Sequence, residues 1–292
     1  MQKRIQLVAF AMLCGVSGAL GWQALVSTWR LALNNGAYTH ILLIAPLSVG
    51  LIQLNWRMLP ERFELSVTRG SVLLAGALAT AGLARWGALG PAADLRLSLS
   101  MIALVTWWIG SIVLCFGPGT FRTFLFPLCF LYWMVPMPAA ALDRIIPFLQ
   151  NESAVSARAL FWLAGVPVTR DGTVLDIPGL TIEVARECSS IRSSLILIVM
   201  AMVLAQLFLH SWWRKAVVFA AAIPLAVAKN GLRIFVIAEL GTRVDPGFLD
   251  GNLHHHGGIV FLAIAVAIVS GFIWILRQNE SVGPGIMREP LN

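Results

Sequence analysis

The sequence predicts an all-α polytopic membrane protein of about eight transmembrane helices, with a small extracytoplasmic β element before the sixth. Three observations predict it. Hydrophobic residues make up 58% of the 292 positions, and charged residues 12%, about half the charged share of a soluble domain. The mean hydropathy is +0.81. The apolar residues also gather into runs near the ~20 residues that cross a bilayer. A compact soluble fold of this length would leave too much of itself in water for such a composition, and a disordered chain would be poor in apolar residues. The period-2 alternation of an outer-membrane barrel is absent.

The runs cover roughly 5–28, 38–55, 70–89, 97–117, 121–140, 189–210, 214–239 and 257–276. Met1-Gln2-Lys3-Arg4 resembles the basic flank of a signal peptide, but no small-residue cleavage site in a polar setting follows. The first run is therefore expected to remain as an uncleaved helix. The fifth run is the weakest, since Pro118, Pro127, Pro136 and Pro138 interrupt or flank it. Several of the 11 Trp fall where the membrane interfaces should lie.

Orientation follows from the Lys and Arg of the short connections. One side carries Lys3, Arg4, Arg57, Arg62, Arg69, Arg122, Arg214, Lys215, Arg277 and Arg288; the other carries Arg30, Arg85, Arg96 and Arg243. Both termini are expected to be cytoplasmic, with segments 141–188 and 240–256 outside. The basic residues flank apolar runs and form no nucleic-acid-binding patch, so the net charge of +7 reads as positive-inside bias.

Four regions result: helices 1–5 in 1–140, an extracytoplasmic segment 141–188, helices 6–8 in 189–276, and a cytoplasmic tail 277–292. Within the second, Leu142 to Ala164 mixes apolar residues with Asp143, Arg144, Gln150, Asn151, Glu152 and Arg158, and reads as an interfacial amphipathic helix. Beyond it, Asp171-Gly172 between β-formers signals a hairpin, and Pro178-Gly179 a second turn. This β element leads directly to Cys188.

Polar groups in or at the mouth of a membrane span are costly, so three clusters call for a reason. The first is Arg186-Glu187-Cys188-Ser189-Ser190-Ile191-Arg192-Ser193-Ser194. A Cys at a helix N-terminus, with Arg192 one turn on, is placed to be a thiolate nucleophile. The same residues also read as a plain helix start, with Ser189 or Ser190 as cap and Arg192 snorkelling. Cys14, Cys115 and Cys129 lie in apolar runs without ligand spacing, as small hydrophobes do.

The second cluster is Lys229-Asn230-Gly231-Leu232-Arg233 in the seventh run. Lys229 and Arg233 share a helix face. Arg233 is expected about two turns below the outer surface, at ~1.5 Å rise per residue. It suits stabilisation of an oxyanion or the clamping of a carbonyl, or else an ion pair with Glu239 or Asp245. Lys229 lies deeper and reads as structural, paired or neutral, while Asn230 is placed to orient either neighbour.

The third is Asn252-Leu253-His254-His255-His256-Gly257-Gly258. Consecutive His do not share a helix face and lack partner ligands, so they make a poor metal chelate. A general acid or base for Cys188 and an interfacial polar loop are the other readings. No cofactor or metal is expected. Topology places all three clusters at one membrane face, in three consecutive helices. Thiol, imidazole and guanidinium together suit acyl transfer.

These residues resemble the signature of the exosortase/archaeosortase family. The resemblance rests on Ile182-Glu183-Val184-Ala185, Glu187-Cys188-Ser189-Ser190-Ile191-Arg192, Lys229 to Arg233, and His254 to Phe261. It is specific over about residues 166–270; over 1–140 it rests only on hydropathy and span count. It implies a membrane cysteine transpeptidase with a Cys-Arg-His triad, analogous to sortases but unrelated in fold. Its substrates would be exported proteins with a C-terminal Pro-Glu-Pro signal, a transmembrane helix and a basic tail, in surface or exopolysaccharide systems. The triad would be Cys188, Arg233 and His254. His254 is chosen by Gly258-Ile259-Val260-Phe261, and His255 is the fallback. Arg192 matches a second family Arg. Ser190 stands where many members have Gly, and Arg186 where many have an acid. The rival without covalent chemistry is an exopolysaccharide assembly or transport component, binding anionic glycan or lipid phosphate through Arg233 and Lys229. A metal-dependent hydrolase using the His cluster is the third reading.

Overall fold

The computed structural model describes residues 2–59, 63–86, 93–184, 191–247 and 258–278. Nine α-helices and one three-stranded sheet are described: α1 Gln2–Asn34, α2 Ile41–Leu54, α3 Val67–Arg85, α4 Ala93–Thr123, α5 Leu125–Phe130, α6 Ala139–Leu163, β1 Thr169–Asp171, β2 Val174–Ile177, β3 Leu180–Glu183, α7 Ile191–Phe208, α8 Trp212–Arg243 and α9 Gly258–Gln278. Among the described residues, seven helical segments are long and apolar enough to cross a membrane; the bent α5–α6 pair would make an eighth. The protein is thus an all-α polytopic membrane protein with a small sheet. Large apolar side chains on α1, among them Met12 and Leu20, lie more than half exposed, as lipid-facing residues do when the surrounding solvent is hydrocarbon. The chain divides into two compact units, Met1–Arg144 and Ile145–Asn292.

In the first unit, α1 and α3 pack against α4. α4 changes direction at Gly117, where φ is +82° and ψ 171°. Only glycine adopts this backbone readily, and a Cβ there would collide with the Glu64 carbonyl oxygen. Pro118 follows, and a residue before proline is pushed out of the α region.

The fifth expected span, 121–140, is not one straight helix. α4 continues to Thr123, α5 is short, a 3-10 turn covers Leu131–Met134, and the axis then bends by 93° into α6. The physical cause is Pro136 and Pro138. Neither has an N–H to donate, and each holds its predecessor extended. Irregular backbone at membrane depth must find partners within the protein. Tyr38 donates its hydroxyl to the Met137 carbonyl at 2.8 Å, and the Ser98 hydroxyl reaches the Pro136 carbonyl at 2.7 Å. The Asp94 carboxylate accepts from the Ala139 N–H at 2.7 Å, setting an anion at the positive end of α6.

In the second unit the β element is larger than a hairpin. β1, β2 and β3 form an antiparallel meander, with Arg170 opposite Leu175 and Leu175 opposite Ile182. Gly172-Thr173 makes the first turn. Pro178-Gly179 makes the second, with Gly179 at φ +84°, as a type II turn requires at its third position. Leu175 and Ile177 on one sheet face join Ala154, Ala157 and Phe161 of α6 and Ile234 and Ala238 of α8 in one core cluster. The stretch read from sequence as an interfacial amphipathic helix lies in α6, whose buried face packs on protein. Its other face leaves Phe148 and Trp162 exposed.

Candidate active site

The three-helix pack α7–α8–α9 decides which ends lie together. Leu197, Ala201 and Ala205 of α7, Val218, Ala222 and Ala226 of α8, and Ala265, Val269 and Ile273 of α9 form one core. Small residues let such helices approach closely. At one end the Arg214 guanidinium donates to the Leu276 carbonyl at 2.7 Å, and Lys215 to the Gln206 amide oxygen at 2.8 Å. The start of α7, the second half of α8 and the start of α9 therefore share the opposite end.

Cys188, with Arg186, Glu187, Ser189 and Ser190, lies outside the described residues, as do His254 and His255. The chain on either side of the Cys188 segment is fixed. Upstream, the Val184 N–H donates to the Thr173 carbonyl at 3.0 Å, and Gln150 of α6 donates to the Val184 carbonyl at 2.7 Å. Downstream, Ile191 is buried at the start of α7 and Arg192 is exposed. Ser193 accepts a hydrogen bond from the Lys229 ammonium. α9 begins at Gly258, four residues after His254.

The Lys229–Arg233 stretch binds the neighbouring elements together residue by residue. Lys229, 5% exposed, reaches α7 through Ser193. Asn230, 1% exposed, donates its side-chain amide to Ser153 of α6 at 2.9 Å. Gly231 lies against α6, where a Cβ would stand 2.6 Å from Ser156 Cβ and 2.9 Å from the Ala157 nitrogen. Arg233 is half-buried one turn beyond Lys229, and its neighbour Ile234 packs into the cluster that holds the sheet. The two acids suggested as ion-pair partners for Arg233 have other contacts: Glu239 pairs with Arg243 at 2.8 Å, and Asp245 accepts from the Gly247 N–H at 2.8 Å.

Lys229 is buried and hydrogen-bonded to Ser193 of α7. Asn230 serves α6 through its side-chain amide group. No individual role is read from the sequence for Ser153, Ser156, Ser193 or Gln150. Their signal is weak, because a serine in an apolar helix most often bonds its own backbone, as Ser111 does to the Trp107 carbonyl. Among the described residues no group of His, Cys, Asp and Glu is arranged to hold a metal ion.

A family model describing transmembrane exosortases matches residues 29–271. The match reaches well into the N-terminal unit, beyond the stretch whose motifs carry the resemblance. No curated protein and no solved structure matches the chain. Because the family model covers most of its length, the chain belongs to the transmembrane exosortase family.

Proposed function

We propose that the protein is a membrane cysteine transpeptidase that cleaves a C-terminal sorting signal of exported proteins, of the Pro-Glu-Pro type, through an acyl-enzyme on Cys188. The observation that supports this best is the anchoring of both flanks of the Cys188 segment beside the helix that carries Arg233: Gln150 and Thr173 hold Val184, and Lys229 holds Ser193.

In this reading the Cys188 thiolate attacks the scissile carbonyl, and Arg233 carries the charge that develops on its oxygen. His254, with His255 as the alternative, gives its proton to the departing amine as the C–N bond breaks. The thioester left on Cys188 is resolved by an amine, a lipid headgroup or water. Arg192 lies four residues after Cys188 and supports the thiolate or the substrate carbonyl. The substrate's terminal helix docks among the spans. The site faces the extracytoplasmic side of an inner membrane, with both termini cytoplasmic, as the Lys and Arg distribution indicates.

The test is processing of a co-expressed substrate that ends in such a signal and a transmembrane helix. Cys188→Ala is expected to abolish processing while the protein accumulates normally, and chelators are expected to leave wild-type processing intact. Normal processing by Cys188→Ala would end the cysteine reading, and loss of activity on chelation would favour the metal-dependent one.

A further inference from the structure

A second site lies far along the chain from these residues, in the first unit. A groove of about 290 Å³ runs between α1, α3 and α4. It exists because the facing positions are small: Gly21, Ala24, Ala77, Ala81 and Ala103. At Gly21 a Cβ would already come within 3.1 Å of Leu104 Cδ1.

The two ends of the groove differ in chemistry. At one end stand Arg85 at the close of α3, Gln23 of α1 and Ser100 near the start of α4. Eight residues separate Ala77 from Arg85, and seven separate Ser100 from Trp107, so the groove runs ~10–12 Å along the helix axes. At the far end, the polar atoms of Ser17 and the tryptophans turn to the protein itself. The Trp107 indole donates to the Leu13 carbonyl at 3.0 Å, the Trp108 indole to Ser17 Oγ at 3.1 Å, and Ser17 to the Cys14 carbonyl at 2.9 Å. That end offers hydrocarbon.

At the polar end, Ser100 gives its proton to the Arg96 carbonyl, which leaves the Arg85 guanidinium and the Gln23 amide as donors. Among the described residues nothing pairs with Arg85. Trp86 and Trp22, 68% and 64% exposed, flank this end, as aromatic residues do at a headgroup layer.

We infer that this groove binds an anionic phospholipid of the bilayer, one acyl chain lying along the Ala77–Ala81 face and the headgroup phosphate on Arg85 and Gln23. A cation with amide support at one end of a hydrocarbon slot matches an amphiphile with a negative head. The site is independent of Cys188 and of the proposed reaction.

The test uses the full-length protein, purified and delipidated in neutral detergent. It is titrated with phosphatidylglycerol, phosphatidylcholine or inorganic phosphate, with thermal unfolding and native mass as readouts. Phosphatidylglycerol is expected to bind and to raise the unfolding temperature; phosphatidylcholine should bind clearly less well, and phosphate alone should have no effect. Arg85→Gln is expected to weaken phosphatidylglycerol binding about fivefold. Ala81→Leu, which fills the slot without changing charge, should weaken it as well, while Arg30→Gln, outside the groove, should leave it unchanged. Equal binding of the two lipids, equal effects of Arg85→Gln and Arg30→Gln, full binding by Ala81→Leu, stabilisation by phosphate alone, or a protein dimer without bound lipid would each overturn the proposal.

Discussion

Arg233→Ala is expected to lower processing by about 10² to 10³-fold, the usual cost of removing one preorganised oxyanion donor. Arg233 is half-buried on a helix inside the membrane region, where low polarity strengthens its interaction with a developing negative charge. The interaction is greatest in the transition state, so kcat should fall more than KM rises. Arg233→Lys keeps the charge and loses the planar fork, and should retain a fraction of the activity between the two. The protein should still accumulate, because Lys229, Asn230, Gly231 and Ile234 keep their own contacts on this stretch of α8. A pure rise in KM would point to ground-state binding of an anionic ligand, as the glycan- or phosphate-binding rival requires.

Gly231→Val should be the most destabilising single substitution near the site. The added atoms would enter space held by the Ser156 side chain and the Ala157 backbone nitrogen, 2.6 and 2.9 Å from the new Cβ. The serine side chain can turn aside, but the backbone cannot move without shifting α6. Overpacking of this kind costs about 1–3 kcal/mol or more. Two hydrogen bonds flank the contact, a buried one from Asn230 to Ser153 and a partly buried one from Lys229 to Ser193, and displacement of α6 would stretch the first and leave polar groups unsatisfied. The unfolding temperature in detergent should fall in the order Gly231, Gly231→Ala, Gly231→Val. Ser156→Gly should restore part of the loss in the alanine variant and little in the valine variant, because the Ala157 nitrogen remains. An unfolding temperature for Gly231→Val equal to that of the wild type would show that α6 does not pack here.

The membrane class was legible from composition, and most spans from the lengths of apolar runs, because a helix in hydrocarbon announces itself by apolarity alone. The breaks were less legible. Pro136 and Pro138 flagged a weak fifth span, but the 93° bend depends on Tyr38, Ser98 and Asp94, far away in sequence, supplying partners to the freed backbone. Pro178-Gly179 marked the second turn of the sheet, and Asp171-Gly172 marked the first one residue early, since Asp171 closes β1 and the turn is Gly172-Thr173. Its packing on α6 and α8 through Leu175 and Ile177 did not show, because four-residue strands carry too little periodicity. Arg233 and Lys229 stood out because a cation in an apolar run is costly. What Lys229 contacts was less visible: its depth suggested a structural, paired or neutral group, and its partner, Ser193, is a serine at the start of an apolar helix. The groove at Arg85 was not visible at all, since alanine and glycine at helical spacing look the same whether they face a neighbour or an empty slot.

The most direct measurement is interception of the acyl-enzyme. The purified protein is mixed with a substrate bearing the sorting signal, quenched in acid during turnover, and digested for mass analysis of the peptide that contains Cys188. A thioester between Cys188 and the new C-terminus of the substrate is expected. The adduct should be released by neutral hydroxylamine, absent in Cys188→Ala and strongly reduced in Arg233→Ala. Turnover with Cys188 unmodified, or with the adduct on another residue, would contradict the acyl-enzyme mechanism.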